Sequence, residues 1–440
     1  MKYLLLFIFL IIFSLTSNLE AQLKPTDVKS FTLDNGMQFF VLEDNSIPNA
    51  NMYLFYKVGS RNEYTGITGI SHFFEHMMFN GAKKYGPKML DQVMELNGGA
   101  NNAYTTENIT AYTDWFPASK LELIFDIESD RIANLSFDSA MIESERGVVH
   151  SEWRTSFENS PWEPLSEAVT AMQFMEHPYH WPVLGYESDI KNWRKEDLEK
   201  YFKTYYAPNN CIVVITGNVT ADQVKKLAKQ YMEPIPAQPP PEPVHIVEPE
   251  QTGERRVMLQ RDVATPYLMI AYHVPETKHK DYYALDVLSE IISRGNSSRL
   301  YSALVDQQEL ATDIGASMPF AFDPFTFNIY AQSTDSDRVA ELEEGIYTEI
   351  DKIKKEGITQ RELQKIKNNK LMDFYAQIET INGKSNNIGN YQLFFGDYKK
   401  MFEAPAEYNK VTIEDVRRVA NEYFKKTNRT VGILKTNVED

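Results

Sequence analysis

Three residues that can bind a metal ion or activate water lie within five positions of one another in an apolar segment. They are His72, Glu75 and His76, in the order His-x-x-Glu-His. Residues three and four apart share one face of a helix, so a helix here would project all three side chains together. Two imidazoles one turn apart can bind a single Zn²⁺, and a carboxylate beside them can take a proton from water. The spacing therefore predicts a hydrolytic zinc site.

The same three residues also have a purely structural interpretation. Two histidines and a glutamate on an amphipathic helix can be ordinary surface residues, and a motif of this length does not distinguish the two cases. A third ligand from elsewhere in the chain would favour the metal site.

The helix that must carry these residues spans 70–79, and the pair Asn80-Gly81 supplies a stop signal. A similar apolar segment spans 283–293 and is followed by Gly295. Strand-like runs precede both helices, at 37–42 and 51–58 in the first half and at 256–259 and 267–274 in the second. The repetition predicts an internal duplication of α+β units.

A proline-rich segment, 234–243, divides the chain nearly in half. Prolines at this density cannot continue a helix or a central strand, and they favour a stiff extended spacer. A docking ligand for another domain is the alternative, but the position between two similar halves already explains the segment. We predict a first domain at 22–233, a linker at 234–250 and a second domain at 251–440.

Residues 1–21 have the order of a secretory signal peptide: a charged start at Lys2, an apolar stretch at 3–15 and a more polar exit before Ala21. An uncleaved anchor is the alternative, because the exit lacks a clean Ala-x-Ala. No later segment has about 18 consecutive apolar residues, so no membrane span is expected after the signal is removed. This predicts a secreted protein, periplasmic in a bacterium or otherwise extracellular.

The composition restricts the class of protein. The chain has 440 residues, of which 42% are hydrophobic, and 62 acidic against 45 basic residues give a net charge of −17. This apolar fraction suits a globular protein, and the acidic balance argues against nucleic acid as a partner. The single cysteine, Cys211, lies in an apolar run, which predicts a buried strand thiol.

The motif and a second segment, 143–153, together resemble the inverzincin metallopeptidases of the pitrilysin, insulin-degrading enzyme and mitochondrial processing peptidase family. That family completes the inverted motif with a distant glutamate on a second helix. Glu152, which follows His76 by 76 residues, matches this third ligand, and Glu145 matches the family's auxiliary glutamate. Glu145 and Glu152 are about two helical turns apart and can share a face, whereas His150 would point away and is not expected to bind metal.

The resemblance covers nearly the whole mature chain and implies its fold and activity. The implied fold is α+β and clamshell-forming, with two homologous α/β-sandwich domains whose mixed, largely antiparallel sheets carry helices. The implied reaction is zinc-dependent hydrolysis of oligopeptides or unfolded polypeptides, with one Zn²⁺ per chain and Glu75 as the base. The stretch 97–105 resembles the family's edge strand that holds the substrate backbone, although an ordinary strand is an equal alternative without the resemblance. Its candidate substrate-binding residues are Ala100, Asn101, Asn102 and Ala103.

The second half departs from the family pattern. Residues 298–304 match a family helix, after which the family places an arginine and, seven residues later, a tyrosine that contact the substrate. This chain has Val305 and Thr312 there, and neither can supply the same hydrogen bonds. The resemblance therefore implies the zinc-bearing subunit of a two-chain enzyme, with a related chain supplying the Arg/Tyr pair and a homodimer less favoured. Two other functions stay open: a catalytically silent assembly subunit, and a module that captures peptides without cutting them.

Overall fold

The computed structural model describes residues 23–436, so the predicted signal segment lies outside the described residues. Two β-sheets organise this part of the chain. The strands of the first sheet are β1 (Val28–Thr32), β2 (Gln38–Glu43), β3 (Asn49–Tyr56), β4 (Ala100–Thr105), β5 (Thr110–Pro117) and β6 (Cys211–Gly217). The strands of the second sheet are β7 (Arg255–Gln260), β8 (Tyr267–Val274), β9 (Ala311–Ser317), β10 (Phe325–Ser333) and β11 (Arg429–Lys435).

Helices flank both sheets. Those before the linker are α1 (Ile70–Met77), α2 (Met89–Leu96), α3 (Leu121–Asn134), α4 (Ser139–Asn159), α5 (Trp162–Gln173), α6 (Glu187–Ile190), α7 (Lys195–Tyr205) and α8 (Ala221–Leu227). Those after it are α9 (Tyr282–Ser293), α10 (Val339–Glu356), α11 (Gln360–Gln377), α12 (Ile381–Asn390), α13 (Lys400–Lys410) and α14 (Ile413–Tyr423). Helix α14 has a capping box at its start, where Thr412 and Asp415 bond reciprocally.

The two sheets repeat one topology. The first has the strand order β1-β2-β6-β3-β5-β4, and the second has β7-β11-β8-β10-β9. Apart from the extra β1, each strand of one sheet has a counterpart in the other with the same direction of pairing. Each sheet has one parallel pair, β2 with β6 or β7 with β11, and its other pairs are antiparallel. The expected α+β fold with two homologous domains is therefore confirmed.

Burial on both faces explains the composition of the central strands. Every residue of β6 is buried, and its run of β-branched residues suits a strand covered on each side. Cys211 begins this strand and is 2% exposed, as predicted for a structural thiol. One face of the first sheet packs on α1, α3 and α7 through Phe74, Phe125 and Leu198.

The other face of each sheet is covered by a helix from the opposite half. Helix α12 and the π-helical turn Tyr391–Phe395 pack on the first sheet, where Ile388 and Phe394 join one cluster with Phe55. Conversely, Leu165 of α5 packs on the second sheet. This exchange of helices makes the two halves parts of one body, because separating them would expose apolar surface on both sheets.

The proline-rich linker is held along the surface. The Glu248 carboxylate accepts backbone N–H bonds from Met175, Glu176 and His177 at 2.8, 2.9 and 3.0 Å. Near the start of the linker, Asn209 and Gln238 exchange two hydrogen bonds. Across the described range 23–436, no helix is long and apolar enough to cross a bilayer.

Candidate metal centre

Helix α1 is anchored at its first turn by a buried carboxyl group. Glu63 accepts backbone N–H bonds from Gly69 at 2.7 Å and from Ser71 at 2.8 Å, groups that lack partners inside the helix. Gly69 has a φ of +83°, and a Cβ there would lie 2.4 Å from the Leu184 carbonyl oxygen, so glycine alone fits this entry. The start of the helix is thereby fixed against the 184–185 loop.

The two faces of α1 differ in burial. Phe73, Phe74 and Met77 are fully buried in the first core. On the other face, His72 is buried, whereas Glu75 and His76 are partly exposed to a cleft. The sequence pattern thus orients the helix, because burial of the apolar face leaves the polar residues turned toward α4 and β4.

The structure brings Glu152 of α4 to the two histidines. Glu152 Oε2 lies 3.2 Å from His76 Nε2, and Glu152 Oε1 lies 3.8 Å from His72 Nε2. One ligand atom from each of the three residues lies within 4.8 Å of the others, and no other such cluster of metal-binding groups occurs in the described part of the chain. Zinc binds such atoms at about 2.0–2.2 Å in a tetrahedron. The spacing and the His₂Glu donor set therefore fit a zinc ion.

Glu145 supports one of these histidines from behind. His76 Nδ1–H donates to Glu145 Oε1 at 2.8 Å, and Asn80 Nδ2 donates to Glu145 Oε2. A carboxylate on the far nitrogen fixes the tautomer and ring orientation of a metal-binding histidine. Nε2 of His76 is consequently the nitrogen that faces Glu152.

The electrostatics of the two imidazoles differ. Burial, with the charge of His76, lowers the pKa of His72 to about 4. Burial alone would also lower the pKa of His76, but hydrogen bonds to Glu145 and Glu152 raise it to about 9. Metal binding requires both Nε2 atoms without a proton, so binding near neutral pH releases a proton from His76.

Glu75, the candidate base, projects from the same face and is held by a threonine. Thr105 Oγ1 donates to Glu75 Oε2 at 2.6 Å. Burial raises the pKa of Glu75 above its usual range, while the Thr105 hydrogen bond and nearby His76 oppose that rise. A carboxylate with a raised pKa near a metal site is suited to accept a proton from water.

The predicted substrate strand lies beside this group. Strand β4 pairs with β5 on one side, and within residues 23–436 its other edge has no strand partner. Asn102 and Ala103 line a cleft of about 510 Å³ together with Glu75 and His76. An extended peptide can add to such an edge through backbone hydrogen bonds. Ala100 and Asn101 precede these residues on β4, and Asn101 Nδ2 donates to Asp91 of α2 at 3.2 Å.

Other histidines stand apart from the cluster. His150 Nε2 lies 2.8 Å from Glu187 Oε1, in line with the expectation that it does not bind metal. His177 is buried, and its Nε2 lies 3.4 Å from Asp323 of the second half.

The second half carries a different arrangement at the matching place. Asp286 and Glu290 of α9 have the same separation as His72 and His76. Between them lies the ammonium group of Lys370, 2.8 Å from Asp286 Oδ2 and 3.1 Å from Glu290 Oε1. A lysine thus bridges two carboxylates where the first half gathers metal-binding groups. Val305 packs against the second core, and Thr312 lies exposed on β9.

Sequence reasoning missed two contributors, Thr105 and Glu63. Thr105 could have been found, because it lies two residues after Ala103 and so shares its face of the strand. Glu63 offered no signal, since it lies in an irregular segment before α1.

Comparisons with known proteins agree with this architecture. Residues 39–186 match the model of the insulinase family, peptidase family M16, and residues 192–370 match the model described as the peptidase M16 inactive domain. The chain is 32% identical to zinc protease PqqE of Helicobacter pylori over 429 residues, 96% of each protein.

Solved structures show the same fold. A protease from Helicobacter pylori superposes with a TM-score of 0.89 at 32% identity, covering 93% of this chain and 99% of that one. The periplasmic protease PqqL from Escherichia coli superposes with a TM-score of 0.78 at 17% identity, covering 95% of this chain but 48% of its own. With the fold, both family models and a relative at 32% identity in agreement, the chain belongs to the insulinase (M16) family of peptidases.

Proposed function

We propose that this protein is a secreted zinc endopeptidase that cuts extended oligopeptides or unfolded polypeptides. The observation that carries the proposal is the convergence of His72, His76 and Glu152 beside Glu75, within one cleft bordered by a strand edge. Relatives named zinc proteases, such as the Helicobacter pylori protein, support the choice of metal.

The proposed site gives each residue a distinct role. His72, His76 and Glu152 would hold one Zn²⁺, which lowers the pKa of water and polarises the scissile carbonyl when bound. Glu75 accepts the proton of the attacking water on its carboxylate and passes it to the leaving amine. Glu145 keeps Nδ1 of His76 protonated, so that Nε2 is the nitrogen that gives up its proton and binds the metal.

The free edge of β4 would orient the substrate. A peptide added along Ala100–Ala103 would be extended, as strand addition requires, and would run past Glu75. Asp91 and Glu95 of α2 also line this cleft, and Lys88 is the one lysine or arginine among its described lining residues. This balance favours peptides with basic side chains.

We further propose that the chain acts with a related subunit. Val305 and Thr312 cannot donate the hydrogen bonds that the family's arginine and tyrosine supply, so a second chain would bring them. Escherichia coli PqqL is about twice as long, and the present chain corresponds to 48% of it, which fits two such units enclosing one chamber. A periplasmic or extracellular location is supported by the signal-like residues 1–21 and by the periplasmic location of Escherichia coli PqqL.

The test uses the tagged protein purified from its own organism together with any bound subunit. Glu75→Gln should abolish cleavage of a fluorogenic peptide while about one zinc per chain is retained, because amide nitrogen cannot accept the proton. Glu95→Gln, which neutralises another cleft carboxylate, is the matched control and should keep zinc and the turnover of a peptide that has no basic side chains. Peptide binding without cleavage by the wild type would instead establish the capture module, and absence of both would establish a silent assembly subunit.

A further inference from the structure

Strand β4 contributes more to the site than its free edge. Its alternate residues Asn101, Ala103 and Thr105 share one face, as the two-residue period of a strand requires. Asn101 bonds to Asp91, Ala103 lines the cleft, and Thr105 donates to Glu75 Oε2 at 2.6 Å. The row therefore runs from the proposed substrate region to the proposed base.

Glu75 depends on this hydroxyl for its orientation. Within residues 23–436 the Thr105 bond is its one side-chain hydrogen bond, and the carboxylate is half buried. A glutamate side chain has several rotatable bonds, and fixing them costs conformational entropy. A donor on Oε2 restrains those rotations and leaves Oε1 free for a proton.

Thr105 is itself rigidly placed. It is the last residue of β4 and pairs with Thr110 of β5. The next residue, Thr106, closes a tight turn in which its backbone N–H donates to Ile109 O at 2.8 Å and its Oγ1 accepts from Asn108 N at 3.1 Å. A β-branched side chain at the strand end has few rotamers, so the hydroxyl has a fixed direction.

We propose that Thr105 is a positioning residue for the base: it holds Glu75 Oε2 so that Oε1 faces the substrate docked on the same strand. The inference rests on the proposed peptidase function. One strand would then both receive the peptide and restrain the base, which sets the distance between the Glu75 carboxylate and the docked backbone.

The experiment compares three variants in the purified complex with zinc. Thr105→Val keeps the shape but removes the donor, and it should lower kcat by about ten- to a hundredfold, less than the full effect of a general base because Glu75 stays present, with KM changed less than about twofold. Thr105→Ser retains the hydroxyl and should recover most of kcat. Thr32→Val is the matched control, since Thr32 is the exposed last residue of β1 in the same sheet, and it should match the wild type.

A binding measurement separates positioning from a general disturbance of the site. In the Glu75→Gln background, adding Thr105→Val should leave zinc content and the Kd of a fluorescent uncleaved peptide unchanged. Unaltered kcat in Thr105→Val, or weakened peptide binding in the double variant, would overturn the positioning role while leaving the peptidase proposal intact. A wild-type complex that holds zinc but shows no turnover would overturn both.

Discussion

At the scale of single residues, the site is built from paired roles. His76 has Glu145 behind it, Glu75 has Thr105 beside it, and the first turn of α1 has Glu63 beneath it. The first two pairs join a residue that can act on a ligand to one that fixes its direction or protonation, and the third fixes the start of the helix that carries them. Replacing only the supporting member is therefore informative, because the acting group stays present.

Glu63 gives a pH-dependent prediction. Burial, with a contribution from Asp189, raises its pKa to about 8, against hydrogen bonds from Ser71 and Gly69 that favour the charged form. A carboxyl with a raised folded pKa contributes stability that is full below its unfolded value near 4.5 and is lost as pH rises through 8. The wild type should therefore gain stability relative to Glu63→Gln on going from about pH 7.5 to 5.5, by up to roughly 2–3 kcal/mol.

Urea unfolding at the two pH values measures this difference. The comparison with Glu63→Gln cancels the other titrating groups, including the histidines, because both proteins share them. A difference in unfolding free energy that is the same at both pH values would show that Glu63 is ionised throughout.

At the scale of elements, the exchanged helices decide how the halves are joined. Gly432 of β11 faces α5, and a Cβ there would lie 2.3 Å from Val169 Cγ2 and 2.8 Å from Leu165 Cδ1. Gly389 of α12 makes an equally close approach to Phe55 of β3, at 2.1 Å. The absence of side chains at both contacts lets helix and sheet pack closely.

Gly432→Ala tests this packing. The added methyl overpacks the contact with α5 and should lower the free energy of unfolding by about 1–3 kcal/mol, measured by urea denaturation. Gly147→Ala is the control, because Gly147 lies exposed in α4 with no atom near its missing Cβ, and it should stabilise by about 0.5–1 kcal/mol. Because Val169→Ala makes room for the added methyl, Gly432→Ala should cost less unfolding free energy in the Val169→Ala background than in the wild type. Equal effects of Gly432→Ala and Gly147→Ala would contradict the packing argument.

The apolar pattern located both predicted helices, but helix ends depend on tertiary contacts. The predicted helix 70–79 is found as Ile70–Met77, and the predicted helix 283–293 is found as Tyr282–Ser293. Helix α8 is α-helical only to Leu227. It continues as a π-helical turn, in which Glu233 N–H bonds to the Ala228 carbonyl at 3.0 Å. Such a turn widens the helix without interrupting it, so the hydrophobic pattern carries little trace of the change.

At the scale of the molecule, the two halves of the chain pack together as one unit rather than as two lobes joined by a hinge. Exchange of α5 and α12 joins the halves, and the linker is bound along its length through Glu248 and Gln238. Closure around a substrate would therefore come from movement between two chains. This supports the proposed two-chain enzyme, in which each chain forms one side of the substrate chamber.

The isolated chain should bind about one zinc yet cleave a fluorogenic peptide at least about 100-fold more slowly than the complex. The reason is that it lacks the arginine and tyrosine proposed to come from the second chain and to stabilise the reacting carbonyl. The measurement is kcat/KM of the chain alone and after mixing with its co-purified subunit. That subunit should carry an arginine and a tyrosine seven residues apart. Full activity of the isolated chain would contradict the two-chain proposal.

The sequence by itself determined the local chemistry and the repeated plan. The spacing of His72, Glu75 and His76 sets their common face, because helical geometry is a property of a single segment. The tertiary structure alone decided which distant groups meet them: Glu145 with His76, Thr105 with Glu75 and Glu63 with the start of α1. The exchange of α5 and α12 between the sheets was likewise decided by the tertiary structure alone. Such contacts depend on how whole faces pack, and no short-range pattern in the chain encodes that choice.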